Sequence, residues 1–538
     1  MVKINYIIGF AWLMLALSCT KQELSPLLPA PEVTEVNPSS AFIGDTVIVS
    51  GRGFLAEPTA NVVTFGGKAG IVISVVGDSD LKTIVPNGAL SGNVVVGNAN
   101  ASTKGPAFTV LANPNPPTIS SLSSQDLEVG EVIEIIGTHF IAKVDTSANQ
   151  VQIGGKRLRV VSATSTRLLA VVPSGAVGAN QDLAIGVKGA TSNAIKVTVK
   201  GFAGSLFWTL LPTENKPDDK IRQLIAQLKA DGSTLLNDRL SVAIPDDSAE
   251  NKIILKFSLA GPKTFNQKTD QLYYARTDRD TLWQLAAPAF TGFQKVLSAD
   301  EAGAPLNAVT ALAAREDNSD LFFAYDGIIN QGKEFFGFVP SGSVIEQMVT
   351  SQNALYLLVR DQAGVSTLQT LAYTAKGEPT QLVNTSTLPT PATDAKGIAS
   401  ILYSLRAKTL YLVFQESITA IKLYKLAEGD ATPKLVVDNL PYLDAFIEPK
   451  FTLLDAATGP KLYGVGVVNL SYNSVTPELV QVLYMINLKT NPTGNYQATT
   501  LYTDLLKLPG REETFQYKAT GSNVLPFTKV DFLFASEK

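Results

Sequence analysis

Cysteine and histidine are almost missing from this chain of 538 residues, each occurring once. With Cys19 alone no disulfide forms within the chain, so its stability has to come from packed cores. With His139 alone neither a histidine-based triad nor a multi-histidine metal site can be built, which removes much of enzyme chemistry. Basic charge is short too. Lys and Arg number 44 against 48 Asp and Glu, giving a net charge of −4 and no electrostatic footprint for nucleic acid. After Cys19 no apolar stretch approaches the about 20 residues needed to span a bilayer. Helix-period stretches are few. Abundance lies in 40 Gly and 29 Pro, which with short Val/Ile-rich runs predict an all-β chain with many turns. Its length exceeds one hydrophobic core and suits three or four domains.

The N-terminus reads as a processed leader. Lys3 supplies a positive start, and Ile4 to Leu17 form an apolar run broken only by Asn5 and Gly9. That run has the layout of a secretory signal over residues 1–18. Ser18-Cys19 resembles the lipobox of bacterial lipoproteins. The resemblance implies cleavage before Cys19, acylation of its thiol and anchoring in membrane lipid. Residues 19–30 then form a tether, in which Pro26 and Pro29, with Pro31 beyond, favour extended geometry of about 3.1 Å per residue. Lys21-Gln22-Glu23 resembles the short charged signal that sends lipoproteins of Bacteroidota-type bacteria outward. The expected location is therefore the outer membrane, facing the exterior.

Residues 31–112 and 113–200 form an internal repeat. Gly44-Asp-Thr-Val-Ile-Val-Ser-Gly51-Arg-Gly-Phe54 aligns with Gly130-Glu-Val-Ile-Glu-Ile-Ile-Gly137-Thr-His-Phe140 at an offset of 86. Asn61 with Gly66-Gly67-Lys68 matches Asn149 with Gly154-Gly155-Lys156, and Val85-Pro86 matches Val172-Pro173. The glycine pairs mark tight turns with positive φ, the Val/Ile alternation makes half-buried strands, and Phe54 and Phe140 plug a core at a strand end. Each copy holds strands enough for one β-sandwich. The pattern resembles the IPT/TIG family of immunoglobulin-like domains, which in cell-surface proteins commonly act as spacers. The second copy has Ser123-Ser124 where the first has Asn37-Pro38. His139 falls between Gly137 and Phe140 and reads as a turn residue. The linker Asn113-Pro-Asn-Pro-Pro117 is short and stiff, so the two sandwiches are expected to form a semi-rigid stalk.

Residues 205–538 lack this repeat. Strand-like runs begin at Leu272, Leu321, Leu355, Leu410 and Leu462, separated by 49, 34, 55 and 52 residues. That spacing approximates a propeller blade, and the length fits six or seven blades. Two further sandwiches are the alternative. Apolar positions 221, 224, 225 and 228 predict an amphipathic helix over Ile221–Lys229.

The chemistry points to binding. Asp218-Asp219, Asp246-Asp247, Glu316-Asp317 and Glu512-Glu513 are carboxylate pairs of the kind glycoside chemistry uses, each in a polar, loop-like context. Asp278-Arg-Asp280 is only a fragment of a calcium loop, so no metal or cofactor is expected. Sugar rings stack on Trp and Tyr while Asp and Arg bond their hydroxyls. Trp208 and Trp283 are the tryptophans beyond the leader. Tyr273, Tyr274, Arg276, Asp278 and Trp283, on one hairpin, rank first as a contact surface; their other reading is strand core beside a charged turn. Anchor, paired stalk and β-rich head together resemble the surface glycan-binding lipoproteins of Bacteroidota polysaccharide-utilisation systems. The resemblance implies a non-catalytic protein that captures an extracellular polysaccharide beside a TonB-type transporter. An adhesin or scaffold for a protein partner, and a propeller-type glycan hydrolase or lyase, are the rivals.

Overall fold

The computed structural model describes residues 30–144, 148–201, 205–210, 224–228, 240–241, 262–276, 280–286, 291–315, 320–373, 378–384, 391–392, 395, 397–417, 420–440, 450–469, 479–489, 494, 496–503 and 530–536. Cys19 and the tether lie outside them.

The two repeat copies adopt one plan. In the first, strands Glu32–Asn37, Thr46–Arg52, Asp80–Ile84 and Ile71–Val76 form one sheet in that spatial order. Ser40–Phe42, Ser102–Leu111, Gly92–Gly97, Val62–Phe65 and Lys68–Ala69 form the other. Alternation drives their inner faces together around Val47, Val49, Phe65, Leu81, Val94, Val96 and Phe108. The second copy repeats both sheets, down to the parallel pairing of Asp126–Glu128 with Ile195–Lys200 that mirrors Ser40–Phe42 with Ser102–Leu111.

The residues that defined the repeat hold equivalent jobs. Phe54 and Phe140 are buried. Gly66-Gly67 and Gly154-Gly155 all have positive φ, as tight two-residue hairpin turns require. Asn61 accepts from Leu55 N at 2.9 Å and donates to Leu55 O at 2.7 Å; Asn149 makes the same two bonds to Ile141 at the same distances. His139 sits exposed in a left-handed turn (φ 60°) after its strand, with Nδ1 3.1 Å from Pro116 O. In the same compact unit, Asn113 Nδ2 donates to Val187 O at 3.1 Å, tying down the start of the linker.

Among the described residues the C-terminal region forms six four-stranded antiparallel sheets. Five are simple meanders: Lys263–Ser298, Ala311–Phe338, Val344–Asn384, Gly397–Val437 and Lys450–Thr503. The remaining sheet joins the ends of the region, because Val530–Ser536 pairs with Ser205–Leu210, followed outward by Leu224–Leu228 and Leu240–Ser241. The first strands of successive meanders adjoin, and Val530–Ser536 touches those of the last and the first meander. This strand order is propeller-like, each four-stranded sheet a blade, with the last described strand returning to the sheet of Ser205–Leu210.

Packing explains the sequence runs. A blade is covered on both faces, so its central strands are apolar at consecutive positions instead of alternating. In Leu321–Tyr325, Phe322 enters the core shared with Leu355 and Leu357, while Phe323 enters the core shared with Tyr273 and Leu282. Glutamine amides tie separate meanders together. Gln347 Oε1 accepts from Ile401 N at 3.0 Å and Nε2 donates to Ile401 O at 2.8 Å. Gln267, in the turn after Lys263–Asn266, donates to Leu453 O and accepts from Asp455 N of the last meander.

The expected helix over 221–229 is not formed in its described part, residues 224–228. Leu224–Leu228 is a strand with Leu228 opposite Leu206 and Ile225 opposite Thr209. Ladders on both of its edges, to Ser205–Leu210 and Leu240–Ser241, outweigh a weak local periodicity.

Candidate functional site

The hairpin ranked first by sequence is built as expected and is not a surface. Tyr274 stands directly opposite Trp283 across the ladder. Yet Tyr273, Tyr274 and Trp283 are only 5%, 1% and 8% exposed. Successive residues point to opposite faces of a strand, and in a blade both faces are covered, so Tyr273 and Tyr274 both enter the core. The Trp283 indole donates to Thr281 Oγ1 at 2.8 Å. The contact-surface expectation is corrected for these three aromatics, and the strand-core reading holds. Asp278, and the side chains of Arg276 and Trp208, lie outside the described residues, as do all four carboxylate pairs singled out above. Asp280 is a turn residue (φ 52°) whose carboxylate accepts from Asn307 N at 2.6 Å.

A different aromatic group is accessible. Tyr356, from strand Ala354–Arg360, and Tyr403, from Gly397–Ser404, lie on adjacent blades with ring centroids 5.6 Å apart and planes inclined by 27°. The Gln347 bridge to Ile401 fixes the register of those blades. Both rings are half-buried against the apolar core of Leu358, Ile401 and Leu410. The Tyr403 hydroxyl donates to Glu428 at 2.6 Å, and Glu428 is exposed in the turn after Ala420–Ala427. Burial, then the hydrogen bond and charge of Glu428, pushes the Tyr403 phenol upward; burial and the Glu428 charge do the same to Tyr356. Nearby Ser351 opposes the rise at both phenols, but its buried hydroxyl bonds Ala354 O at 3.2 Å, so the groups that converge at the surface are two phenols and one carboxylate. The phenols stay protonated donors at neutral pH. An aromatic wall with grouped donors and acceptors suits a hydroxyl-rich ligand.

Sequence reasoning missed this pair because its members are 47 positions apart and each sits inside an ordinary strand run. A second accessible pair lies on an outermost strand, Glu334–Phe338, where Phe335 and Phe338 are 63% and 68% exposed with centroids 6.5 Å apart. Among the described residues no group of three His, Cys, Asp or Glu is placed to hold a metal ion, and no helix is long and apolar enough to cross a membrane.

The last blade carries a buried polar seat for the second sandwich, within one compact unit. Lys461 Nζ meets Glu128 Oε2 at 2.6 Å, and Asn487 Oδ1 accepts from the same ammonium at 2.8 Å. Asn487 Nδ2 donates to Val129 O at 3.2 Å, and Lys489 lies 3.4 Å from Glu131. Burial pushes Glu128 upward, but the charges of Lys461 and Lys489 and the hydrogen bonds of Lys461 and Asn487 outweigh it and hold the carboxyl below its ordinary value. Gly130 holds a positive φ of 78° that favours glycine, and a side chain there would also meet Met485 Cε at 2.7 Å.

By fold the chain is an all-β protein of two immunoglobulin-like sandwiches followed, among the described residues, by six four-stranded antiparallel sheets in propeller-like order. Residues 31–110 and 117–202 each match the IPT/TIG domain family, so the chain carries two IPT/TIG domains. No curated protein matches the chain. Among solved structures it is similar to an auxiliary nutrient binding protein from Bacteroides thetaiotaomicron VPI-5482, at 14% identity over 72% of this chain and 86% of that one, with a TM-score of 0.31. An auxiliary nutrient binding protein from Bacteroides ovatus ATCC 8483 matches at 14% identity over 81% and 95%, with a TM-score of 0.30. SGBP-B from a complex xyloglucan utilization locus in Bacteroides uniformis matches at 20% identity over 37% and 61%, with a TM-score of 0.15.

Proposed function

We propose that this chain is a lipid-anchored surface protein that captures an extracellular polysaccharide without transforming it. Cys19 carries the acyl chains, the two IPT/TIG domains form the stalk, and the propeller region presents the ligand surface toward a neighbouring TonB-type transporter. The observation that carries the reading is the Tyr356–Tyr403 pair with the Glu428 carboxylate at its edge. Rings of this kind cover the flat C–H faces of a sugar while the carboxylate and hydroxyls bond its hydroxyl groups. Contacts of this size are weak singly, and anchoring raises their local concentration.

Affinity electrophoresis in polysaccharide gels tests it. The chain is expected to be retarded by at least one glycan without releasing reducing ends. Tyr403→Ala, with Tyr356→Ala as a second variant, is expected to weaken retardation about tenfold, the equivalent of roughly 1.4 kcal/mol. Unaltered retardation in both variants would remove this surface, release of new ends would establish an enzyme, and indifference to every glycan would favour a protein partner.

A further inference from the structure

We propose, resting on the glycan-capture reading, that the Tyr356–Tyr403 surface takes neutral polysaccharides and turns acidic ones away, with Glu428 as the group that discriminates. The rings alone carry no such preference, since the flat C–H face of a pyranose is alike in neutral and acidic sugars. Selection falls to the polar groups at their edge.

At that edge the charge is of one sign. Glu428 is exposed, and its Oε1 accepts from the Tyr403 hydroxyl at 2.6 Å. A neutral phenol orients the carboxylate without cancelling its charge. The other acidic groups of the same meander serve as an internal control. Lys422 meets Glu416 at 3.0 Å and Asp438 at 3.1 Å, and Lys434 meets Asp430 at 3.0 Å. Each of those carboxylates has an ammonium beside it; among the described residues Glu428 has none. Lys408, across the turn, accepts from Glu428 N through its backbone O at 3.0 Å, but no ion pair joins the two side chains. The charge that reaches the Tyr356 phenol is likewise that of Glu428, with no cation set against it among the described residues.

Two classes of ligand meet this edge differently. A neutral sugar brings hydroxyls, which donate to the second oxygen of Glu428 in bonds strengthened by its charge. A uronate or a sulfate ester adds an anion that cannot donate. It would lie beside Glu428 over half-buried rings, where repulsion is screened less than in bulk water. An element that repels the wrong ligand is as effective for specificity as one that attracts the right one.

Isothermal titration of the full-length chain in detergent tests this with matched probes. These are oligosaccharides of a mixed-linkage glucan, a galactomannan and starch, and the same oligosaccharides oxidised at C6 to uronates. The oxidised forms are expected to bind roughly tenfold more weakly or worse, and about 0.5 M salt to narrow the gap. Glu428→Gln is expected to bring the two forms within about threefold of each other while the thermal unfolding midpoint holds, because the side chain is exposed. Oxidised forms that bind the parent as well as the neutral ones would overturn the selectivity and leave glycan capture standing. So would a Glu428→Gln variant that discriminates as the parent does. A chain that binds neither form of any probe would overturn glycan capture at this surface, and the selectivity with it.

Discussion

Glu128 and Lys461 are 333 residues apart in the chain and 2.6 Å apart in space, with side chains 9% and 3% exposed. A pair so enclosed is costly to desolvate, and removing one partner strands the other charge at about 3–5 kcal/mol. Lys461→Met is therefore expected to lower the stability of the head and second sandwich by about that much, and Glu128→Gln to do likewise, in urea unfolding followed by fluorescence. The double variant Glu128→Leu with Lys461→Met should recover much of the loss. Two single variants that unfold like the parent would show that the seat is not formed.

The same pair sets a pH dependence. Neighbouring ammonium groups hold Glu128 below its ordinary value of 4.5, so the folded state releases this proton more readily than the unfolded chain. Its contribution is present in full above the ordinary value and is lost as pH falls through the depressed folded value. Thermal unfolding from pH 7 to pH 3 should show the midpoint falling below about pH 4.5, and Glu128→Gln should flatten that acid limb.

One turn recurs at both joints. Glu131 Oε2 accepts from Glu128 N at 3.1 Å, and its counterpart Asp45 accepts from Phe42 N at 3.1 Å. Asp45 also meets Lys188 at 3.2 Å, and Lys188 lies 4.6 Å over the Phe42 ring, but both charged side chains are about one-third exposed (34% and 35%). Screening limits a pair of that kind to about 0–1 kcal/mol. Asp45→Asn is expected to shift unfolding by under about 1 kcal/mol, several times less than Glu128→Gln, and the shift should vanish in about 0.5 M salt. Equal losses at both positions would contradict the burial contrast.

How far the sequence carried depends on the range over which each signal acts. Gly66-Gly67, Asn61 and Phe54 announce local geometry, and their offset copies announced it twice, so the sandwiches were legible residue by residue. The recurrence of strands came through because doubly covered strands such as Leu321–Tyr325 read as continuous apolar runs. Burial at Tyr273 and Tyr274 did not come through, since an aromatic pair in a strand looks alike whether a neighbouring blade covers it or solvent does. Ile221–Lys229 misled because five paired residues outweigh a helical period that spans little more than two turns. Tyr356 with Tyr403, and Glu128 with Lys461, are contacts between distant segments that one sequence does not encode locally.

Gln347 tests the stitching between blades. Its amide takes the place of a strand by bonding both N and O of Ile401, and its Oε1 also accepts from Ser400 Oγ at 3.2 Å. Gln347→Ala leaves buried backbone groups of Ile401 unpaired, at about 1–3 kcal/mol. Gln347→Glu keeps the acceptor but sets a carboxylate oxygen against Ile401 O, and should cost at least as much. Hydrogen exchange at Ile401 should quicken in both variants; unchanged protection there would show that the bridge is dispensable.

Alkaline pH probes the last blade. Tyr463 and Tyr484 are fully buried on neighbouring strands, and burial pushes both phenols well above their ordinary 10. The unfolded chain loses these protons near pH 10 while the folded chain retains them, so above that pH the unfolded state binds fewer protons and stability falls as pH rises. Absorbance of tyrosinate should therefore appear late, together with loss of β structure, and Tyr484→Phe should delay the transition. Tyr484 lies across the ladder from Gly464, where an added Cβ would come within 2.5 Å of the ring. Gly464→Ala must displace that ring at a cost of about 1–3 kcal/mol, and should bring the alkaline transition to lower pH. A Gly464→Ala chain whose tyrosines ionise no earlier than the parent's would show that the ring does not rest on this glycine.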